Sequence, residues 1–566
     1  MGSTDSMRLA FRAALVLCMA SGSLASAQVA TAVLREGDPV PSVGPGEVIA
    51  SFSNAEVNGV GGFAVGFNTV SGLSCFWGDL SGVGTGALLR VEGTVGNYLQ
   101  TGFESFFGID DNASISYSPT TNDLIGGATG LDAVWVDNTP VAVEDDLITA
   151  IPGTRFRFAS RPKILGNGTP YFIGGIDDAT TGSSLGQGLF LGSPPVPLIK
   201  SLDVVPGLPN PILNGSGIDF DSRLSHNGIH SLVPVQIATG SGVTTTNDNF
   251  VLFDLLPIST GTDIIGEDRL IPSTSGGLPL EVWDNFDDMG VTDFGEYFFN
   301  GDTDKAGTTT DEFIARNGII IYREGDFTGG FQLTGSMEFA DINESGDIVA
   351  AWDVEGGTTD PEAILFNDKI LIKTGDAVDV TGDGVVDIAF LRNITGIANI
   401  SVGSDRRIWF TADWDTTNST STADDFDGWF VIQDPCGSVR RYGVGCAGSG
   451  GFVPRLELGG CSTPGGNVSL EVTKGLGGST ALLFFGLVRG QTPIGGNGCF
   501  LNVSPLLSTI LALPLGGAGP GAGSIVVPAV IPPSTPQVTF TMQAFVVDGG
   551  APDGGAASAA LEVVIQ

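Results

Sequence analysis

The sequence predicts an all-β protein: a seven-bladed β-propeller whose last blade is completed by the N-terminal strand, followed by a disulfide-containing β-sandwich. Three observations predict it. An apolar run ending in an acidic or Gly-Asp turn occurs seven times, about 50–65 residues apart, the range of four-stranded propeller units. A polar hairpin turn follows each copy. The final unit lacks one strand, and a lone strand stands at the start of the chain.

The run is clearest at Ile319-Ile320-Ile321-Tyr322-Arg323-Glu324-Gly325-Asp326, Ile370-Leu371-Ile372-Lys373-Thr374-Gly375-Asp376 and Val33-Leu34-Arg35-Glu36-Gly37-Asp38. Weaker copies lie at Leu89–Gly93, Val141–Asp145, Leu198–Asp203 and Ile264–Asp268. Each reads as a short strand ending in a turn, because Gly and Asp tolerate turn backbone angles. The hairpin signature is best at Asp341-Ile342-Asn343-Glu344-Ser345-Gly346-Asp347-Ile348-Val349, with relatives at Val57–Phe63, Ile109–Ile115, Val291–Tyr297 and Val402–Ile408. Leu165–Gly168 and Leu224–Ile229 are shortened forms. A third turn, Asn317-Gly318, Asn367-Asp368 or Asp137-Asn138, separates two further apolar runs, and such pairs favour tight hairpins.

Ordered along the chain, the Asn-x-x-Gly hairpin joins strands one and two, and the Asn-Gly hairpin joins strands three and four. The chain opens on a strand four (Thr31–Arg35) and its last unit ends on a strand three (Gly428–Ile432). Pairing of the two would leave no free sheet edge. An open β-solenoid or two packed sandwiches is the competing architecture, and a solenoid would not need the split final unit.

Three segments follow: residues 1–27 as a signal peptide, 28–434 as the repeat domain and 435–566 as the sandwich. Arg8 and Arg12 precede the apolar stretch Ala13–Ala20, and Ala25-Ser26-Ala27 supplies a small-x-small cleavage site. Leu17 before Cys18 is too large for the usual lipid-attachment pattern. No later segment has the roughly 20 apolar residues of a membrane-spanning helix. Beyond Pro435-Cys436 acids thin out and Gly-rich turns dominate, between strand-like runs such as Ala481–Phe485 and Val538–Phe545. Four cysteines fall there, Cys436, Cys446, Cys461 and Cys499. In an exported module they read as two disulfides, with three connectivities open. Wide spacings and the lack of histidine in the module argue against zinc. Cys75, alone in the repeat domain, reads as a buried thiol.

Net charge is −39, from 24 Lys and Arg against 63 Asp and Glu. That excludes the basic footprint of a nucleic-acid binder and suits a soluble extracellular chain. Asp379-Val380-Thr381-Gly382-Asp383-Gly384-Val385-Val386-Asp387 places oxygen side chains at positions one, three, five and nine, with Gly at six, as a wrapped calcium loop requires. Asp379, Thr381, Asp383 and Asp387 are therefore the metal candidates. Thr381 departs from the usual acid or amide, and Phe390 stands where the bidentate acid belongs. The acids ending each strand four (Asp38, Glu92, Asp145, Asp203, Asp268, Asp326, Asp376) could form an acidic crown, but side-chain caps of the turn backbone are the expected role. His226 and His230 flank an Asn-Gly turn, not a metal-binding helix. No Gly-x-Ser-x-Gly elbow, phosphate-cradling loop or dinucleotide fingerprint occurs. Carboxylate pairs for glycoside chemistry stay open, because sequence gives no distances.

Tyr442–Gly448, Gly460–Gly466 and Gly477–Ala481 resemble a C-terminal module common on secreted proteins of planctomycetes and allied bacteria. The Asn343-x-x-Gly346-x-Ile348 pattern resembles the tandem NxxGxxAF repeats of similar bacterial surface proteins, from which the copies around Asn167 and His226 depart. The resemblance implies an exported or surface protein and brings no catalytic motif. The leading expectation is an exported non-catalytic scaffold that binds an extracellular glycan, protein or matrix component. The alternative is an extracellular polysaccharide hydrolase or lyase using carboxylates at the propeller mouth. Six Tyr and seven Trp give few platforms for sugar stacking.

Overall fold

A computed structural model describes residues 29–565, apart from 41, 82–85, 261–262, 273–274, 306–310, 329, 357–360, 368, 395–399, 418–424, 435, 438, 443–444, 495–498, 508–509 and 552–553. The signal segment, Cys18 and Asp368 lie outside the described residues. The chain divides into two compact units, residues 29–433 and 434–566. Among the described residues no helix is long and apolar enough to cross a membrane.

Among the described residues the first unit shows seven consecutive antiparallel sheets of four or five strands, with one two-stranded ribbon, Ser259–Thr260 with Asp263–Ile264. The fifth sheet shows the plan: Met289–Val291, Tyr297–Asp302, Glu312–Arg316 and Ile319–Arg323, each paired with the next. The turn residues dictate this order. Asn317 has φ 51° and Gly318 φ 73°, so both centres of that turn are left-handed, which Asn and Gly tolerate. The seventh sheet is split in sequence. Thr31–Arg35 pairs antiparallel with Phe426–Gln433, in the register Thr31 with Val431 and Arg35 with Gly428.

Among the described residues seven apolar cores hold the sheets, one between each sheet and the next. Phe298, Ile314 and Tyr322 of the fifth sheet pack on Leu333, Ile348, Trp352 and Leu365 of the sixth. Val349, Ile364 and Phe366 on the other face of the sixth pack on Ile408, Phe410 and Phe430 of the seventh. The seventh returns to the first: Trp409 and Trp429 pack with Phe52, Phe63, Val65 and Cys75. Trp409 stacks on Phe63 at 4.3 Å and on Trp429 at 4.8 Å between ring centroids. Both faces of each sheet are buried, so the strands read as apolar runs and not as clean alternation. Cys75 is a buried free thiol, and burial pushes it up to about 12.

The two turn signatures have distinct hydrogen-bonding roles. Asn58 Oδ1 accepts the Gly62 N–H, while its Nδ2 donates to the carbonyls of Leu80 and of Asp110 in the second sheet. Asn343 does the same, with Nδ2 donating to Gly403 of the seventh sheet. Asp110 and Thr292 accept turn N–H groups. Similar bonds run from Asn112 to Gly166, Gly166 to His226, Asn227 to Asp293, Asp293 to Glu344, and Arg407 back to Gly61. The hairpin turns of all seven sheets thus form a closed circuit. At the opposite sheet ends, Asp38, Asp203, Asp326 and Asp376 each accept the N–H three residues back, as turn caps. Glu36, Glu92, Glu144 and Glu267 accept N–H groups at the start of the adjacent strand three. These acids serve the turns.

The fourth sheet departs from the plan. Its first strand is only Arg223–Leu224 and its fourth only Leu256–Pro257, and the Ile264–Asp268 copy joins the third strand outside the ladder, through the isolated bridge Phe250–Gly266 and the Glu267 N–H to the Asn249 carbonyl. The second unit has a five-stranded sheet, Val439–Tyr442, Gly555–Ile565, Val538–Val547, Thr480–Gly486 and Leu511–Pro514, and a three-stranded sheet, Arg455–Gly460, Asn467–Gly477 and Gly519–Val530. Leu456 and Val472 from one, with Leu483, Met542 and Leu561 from the other, form one core. The disulfides are Cys436–Cys461 and Cys446–Cys499, an interleaved pairing.

Trp429 is fully buried where the last sheet meets the first. Trp429→Ala is expected to cost about 3–5 kcal/mol, the range for emptying a large aromatic site. Urea unfolding checks this, and a loss below about 1 kcal/mol would show that this contact does not hold the unit together.

Candidate functional site

The first strands of the seven sheets line one cavity of 210 Å³. Its chemistry comes from a single position of the repeat. Counting back from the first turn residue (Asn58, Asp110, Leu165, Ser225, Thr292, Asn343, Gly403), the preceding residue is always apolar. The one before that is Glu56, Gly108, Lys163, Arg223, Gly290, Asp341 or Ser401, and all seven line the cavity. Four are charged and three are small. Asp288, two residues before Gly290, adds a further carboxylate.

The small residues let the charged ones meet. A Cβ on Gly108 would come within 2.8 Å of Lys163 Cα, so glycine brings the third sheet close to the second. The Lys163 ammonium then reaches past it to pair with the Glu56 carboxylate. Arg223 lies between Asp221, at 3.9 Å, and Asp288. The Tyr171 hydroxyl accepts the Leu224 N–H at 3.4 Å.

Desolvation decides the state of the acids. Asp341 accepts the N–H groups of Val402 at 2.9 Å and Ile342 at 2.8 Å, which favour its charged form. Removal from water outweighs them, helped by the Glu56 charge, and raises its carboxyl to about 7. Asp288 is raised to about 6 by desolvation, with Arg223 opposing and Asp221 adding. The cavity thus holds a carboxyl that is partly protonated at neutral pH, beside an ion-paired carboxylate.

His226 lies at the turn side of this cavity. Its Nε2 is 2.6 Å from Asp111 Oδ2, and Cβ atoms on Gly59 or Gly166 would strike the imidazole at 2.8 and 2.0 Å. His230 hydrogen-bonds Asp254 and stacks on Phe253, away from the cavity.

The calcium-type loop lies elsewhere in the same unit. Asp379 is fully buried and accepts the N–H groups of Gly382 and Gly384, each at 2.7 Å, and of Thr381 at 3.1 Å. Burial opposes its charge, but those donors hold its carboxyl below the usual range. Asp387 accepts the N–H groups of Val380 and Thr381, and Asp383 that of Val385. The four candidates share one loop, with carboxylates engaged by its backbone. Among the described residues no group of three or more His, Cys, Asp or Glu converges on a metal position.

Sequence reading did not identify Glu56, Lys163, Arg223, Asp288 or Asp341. The signal was present in four of them as a shared position before the turn. It shows only when the copies are aligned on their turn residue, because each copy alone carries at most one charge there.

No protein-family model and no curated protein matches the chain. Among solved structures it is similar to an exo-β-1,3-galactanase from Phanerochaete chrysosporium bound to galactose, at 10% identity over 71% of this chain and 94% of that one, with a TM-score of 0.20. It is also similar to an acylaminoacyl peptidase from Pyrococcus horikoshii, at 10% identity over 66% and 58% of the two chains and TM-score 0.27. A polysaccharide lyase, Uly1, gives 8% identity, 84% and 89% coverage and TM-score 0.19. Overlaps this slight fix neither fold nor activity.

Asp341 titrates near 7 in the folded chain and near about 4 when unfolded. Between those values the folded state binds more protons, so its contribution to stability falls as pH rises from about 4 to about 7. Asp341→Asn keeps an oxygen acceptor and removes the titration. Thermal melts across that interval are expected to show a shallower decline, with a gain over wild type at pH 8. An unchanged slope would mean that Asp341 is solvated.

Proposed function

We propose that residues 29–433 form a seven-bladed β-propeller, closed by Thr31–Arg35, on an exported protein that binds a small polar ligand in its central channel, and that the second unit is a β-sandwich. The antiparallel pairing of Thr31–Arg35 with the last strand, the seven inter-sheet cores and the closed circuit of turn hydrogen bonds support the architecture. Two disulfides in the second unit accord with an extracellular setting.

One observation carries the binding reading: the same repeat position supplies Glu56, Lys163, Arg223 and Asp341 to one cavity. Burying charges costs several kcal/mol each unless they are paired. A merely structural channel would be filled more cheaply by apolar side chains. Convergent charges in a concave site are the usual mark of ligand binding. A neutral saccharide or another polyol fits, because Lys163 and Arg223 donate while Glu56 and Asp288 accept.

A second reading, hydrolysis or elimination on a polysaccharide, draws on Asp341. A carboxyl near 7 can protonate a leaving oxygen at neutral pH. Purified full-length protein incubated with a panel of polysaccharides separates the two. The binding reading expects retention with no new reducing ends and no unsaturated product absorbing at about 232 nm. The catalytic reading expects such products, reduced at least about a hundredfold by Asp341→Asn. Neither retention nor product from any member of the panel would sink both.

Calcium at Asp379, Thr381, Asp383 and Asp387 is the accompanying proposal, supported by the oxygen pattern of that loop. The ion would have to displace the N–H groups that Asp379 accepts, so weak, millimolar binding is expected. Calorimetric titration of wild type against Asp383→Ala checks it, and equal heats would remove the loop from consideration.

A further inference from the structure

A second cavity, sharing no residue with the first, opens where the repeat is least regular. The first strands of the fourth and fifth sheets shrink to Arg223–Leu224 and Met289–Val291, against Thr154–Ile164 in the third and Phe331–Ile342 in the sixth. The chain before each short strand runs irregularly, attached by single bridges such as Ile218–Val235. The space left is a cavity of 280 Å³.

Its lining differs in kind from that of the channel. Phe220 and Phe286 supply aromatic surface, and Gln236, Asn249, Asn285 and Asp219 supply polar groups. Phe220 is 37% exposed, with the Arg161 guanidinium 5.0 Å from its ring centroid, and Phe286 is braced by Trp283 and Phe299. The amide nitrogens are already anchored: Gln236 Nε2 donates to Asp248 and Asn249 Nδ2 to Glu267, both at 3.1 Å. Asn285 is fixed by the Asp302 N–H at 2.7 Å. Anchoring sets the amides in place, and among the described residues no hydrogen bond to the side-chain oxygens of Gln236 and Asn249 is found.

We propose that this cavity binds an uncharged sugar residue, a hexose or N-acetylhexosamine of an extracellular glycan, with its C–H face on the phenylalanines and its hydroxyls on the amide oxygens and Asp219. A pyranose has one apolar C–H face and a rim of hydroxyls that both donate and accept, and aromatic rings beside fixed amides match both. Anionic ligands are disfavoured. Among the described residues the cavity lining contains no Lys or Arg, the Arg161 guanidinium beside Phe220 is itself paired with Asp221 at 3.8 Å, and Asp219 lies beside Asp221. Phosphates, uronates and sulfated sugars would meet carboxylate repulsion. The site extends the binding role proposed above without resting on the channel.

Saturation-transfer NMR on the whole protein, with methyl glycosides of neutral hexoses and N-acetylhexosamines, is the test, with glucuronate and adenosine as comparison ligands. Transfer is expected from a neutral glycoside with Kd of about 1 mM or tighter. Phe220→Ala and Gln236→Ala should each weaken it about tenfold while the melting curve stays cooperative. Preferential binding of glucuronate or adenosine overturns the proposal, as does a neutral sugar whose affinity neither variant changes. A sugar lost on Asp341→Asn but not on Phe220→Ala would place the ligand in the channel, and no transfer from any neutral glycoside at about 10 mM also overturns it.

Discussion

Burial of every sheet on both faces, the last against the first, is the constraint on which the first unit depends. No sheet there has a core of its own. Val349 and Ile364 face one neighbour while Ile348 and Leu365, adjacent to them on the same strands, face the other. Alternating side chains thus serve two cores, and the amino-acid pattern loses the polar face of an ordinary surface sheet. Such a chain of interfaces leaves two raw faces unless its ends meet. The stack of Phe63, Trp409 and Trp429 provides that meeting, and the Thr31–Arg35 strand covers the edge of Phe426–Gln433 that would otherwise template aggregation.

The same constraint creates the cavity. When sheets pack face to face around a closed circuit, their first strands converge, and one position per repeat has nowhere to face but inward. Glycine at 108 and 290 lets neighbouring strands approach, and the charges at 56, 163, 223 and 341 then share one poorly solvated space. Two of the chain's 24 basic residues stand there, in a protein of net charge −39. They offset carboxylates that would otherwise be buried unpaired. Compensation is incomplete, and Asp341 meets the remainder by holding its proton near neutral pH. Its titration follows from its position in the closed circuit as much as from its immediate neighbours.

What the sequence made legible was local. Turns depend on two to four residues, so Asn317-Gly318, Asn343-x-x-Gly346 and the Gly-Asp ends could be read directly, and with them the strand order and the split unit. Four cysteines in one module implied two disulfides. The pairing of Cys436 with Cys461 and Cys446 with Cys499 was not legible, because it depends on which strands lie side by side and not on spacing. The charged position before the turn was hidden for a similar reason. Glu56 and Lys163 are 107 residues apart and form a pair only because Gly108 lets the third sheet approach. The calcium-type loop adds what spacing does not convey: its carboxylates accept the loop's own N–H groups.

Irregularity in a repeat carries information that its regular copies do not. Regular copies satisfy the closure constraint and therefore resemble one another, whatever the protein binds. The fourth unit breaks the pattern at both ends, with a two-residue first strand and a displaced fourth, and still keeps its share of two cores through Val233, Val235, Leu232 and Val251. The segments before these short strands still pack, through Ile212 and Ile218 in one core and Ile271 and Trp283 in the other, so their irregular path leaves the space beside Phe220 and Phe286 open without loss of closure. The shortened strands also forgo ladder hydrogen bonds, each worth about 1 kcal/mol. In a unit whose every sheet is needed for closure, that concession is the structural feature on which the proposed sugar site rests.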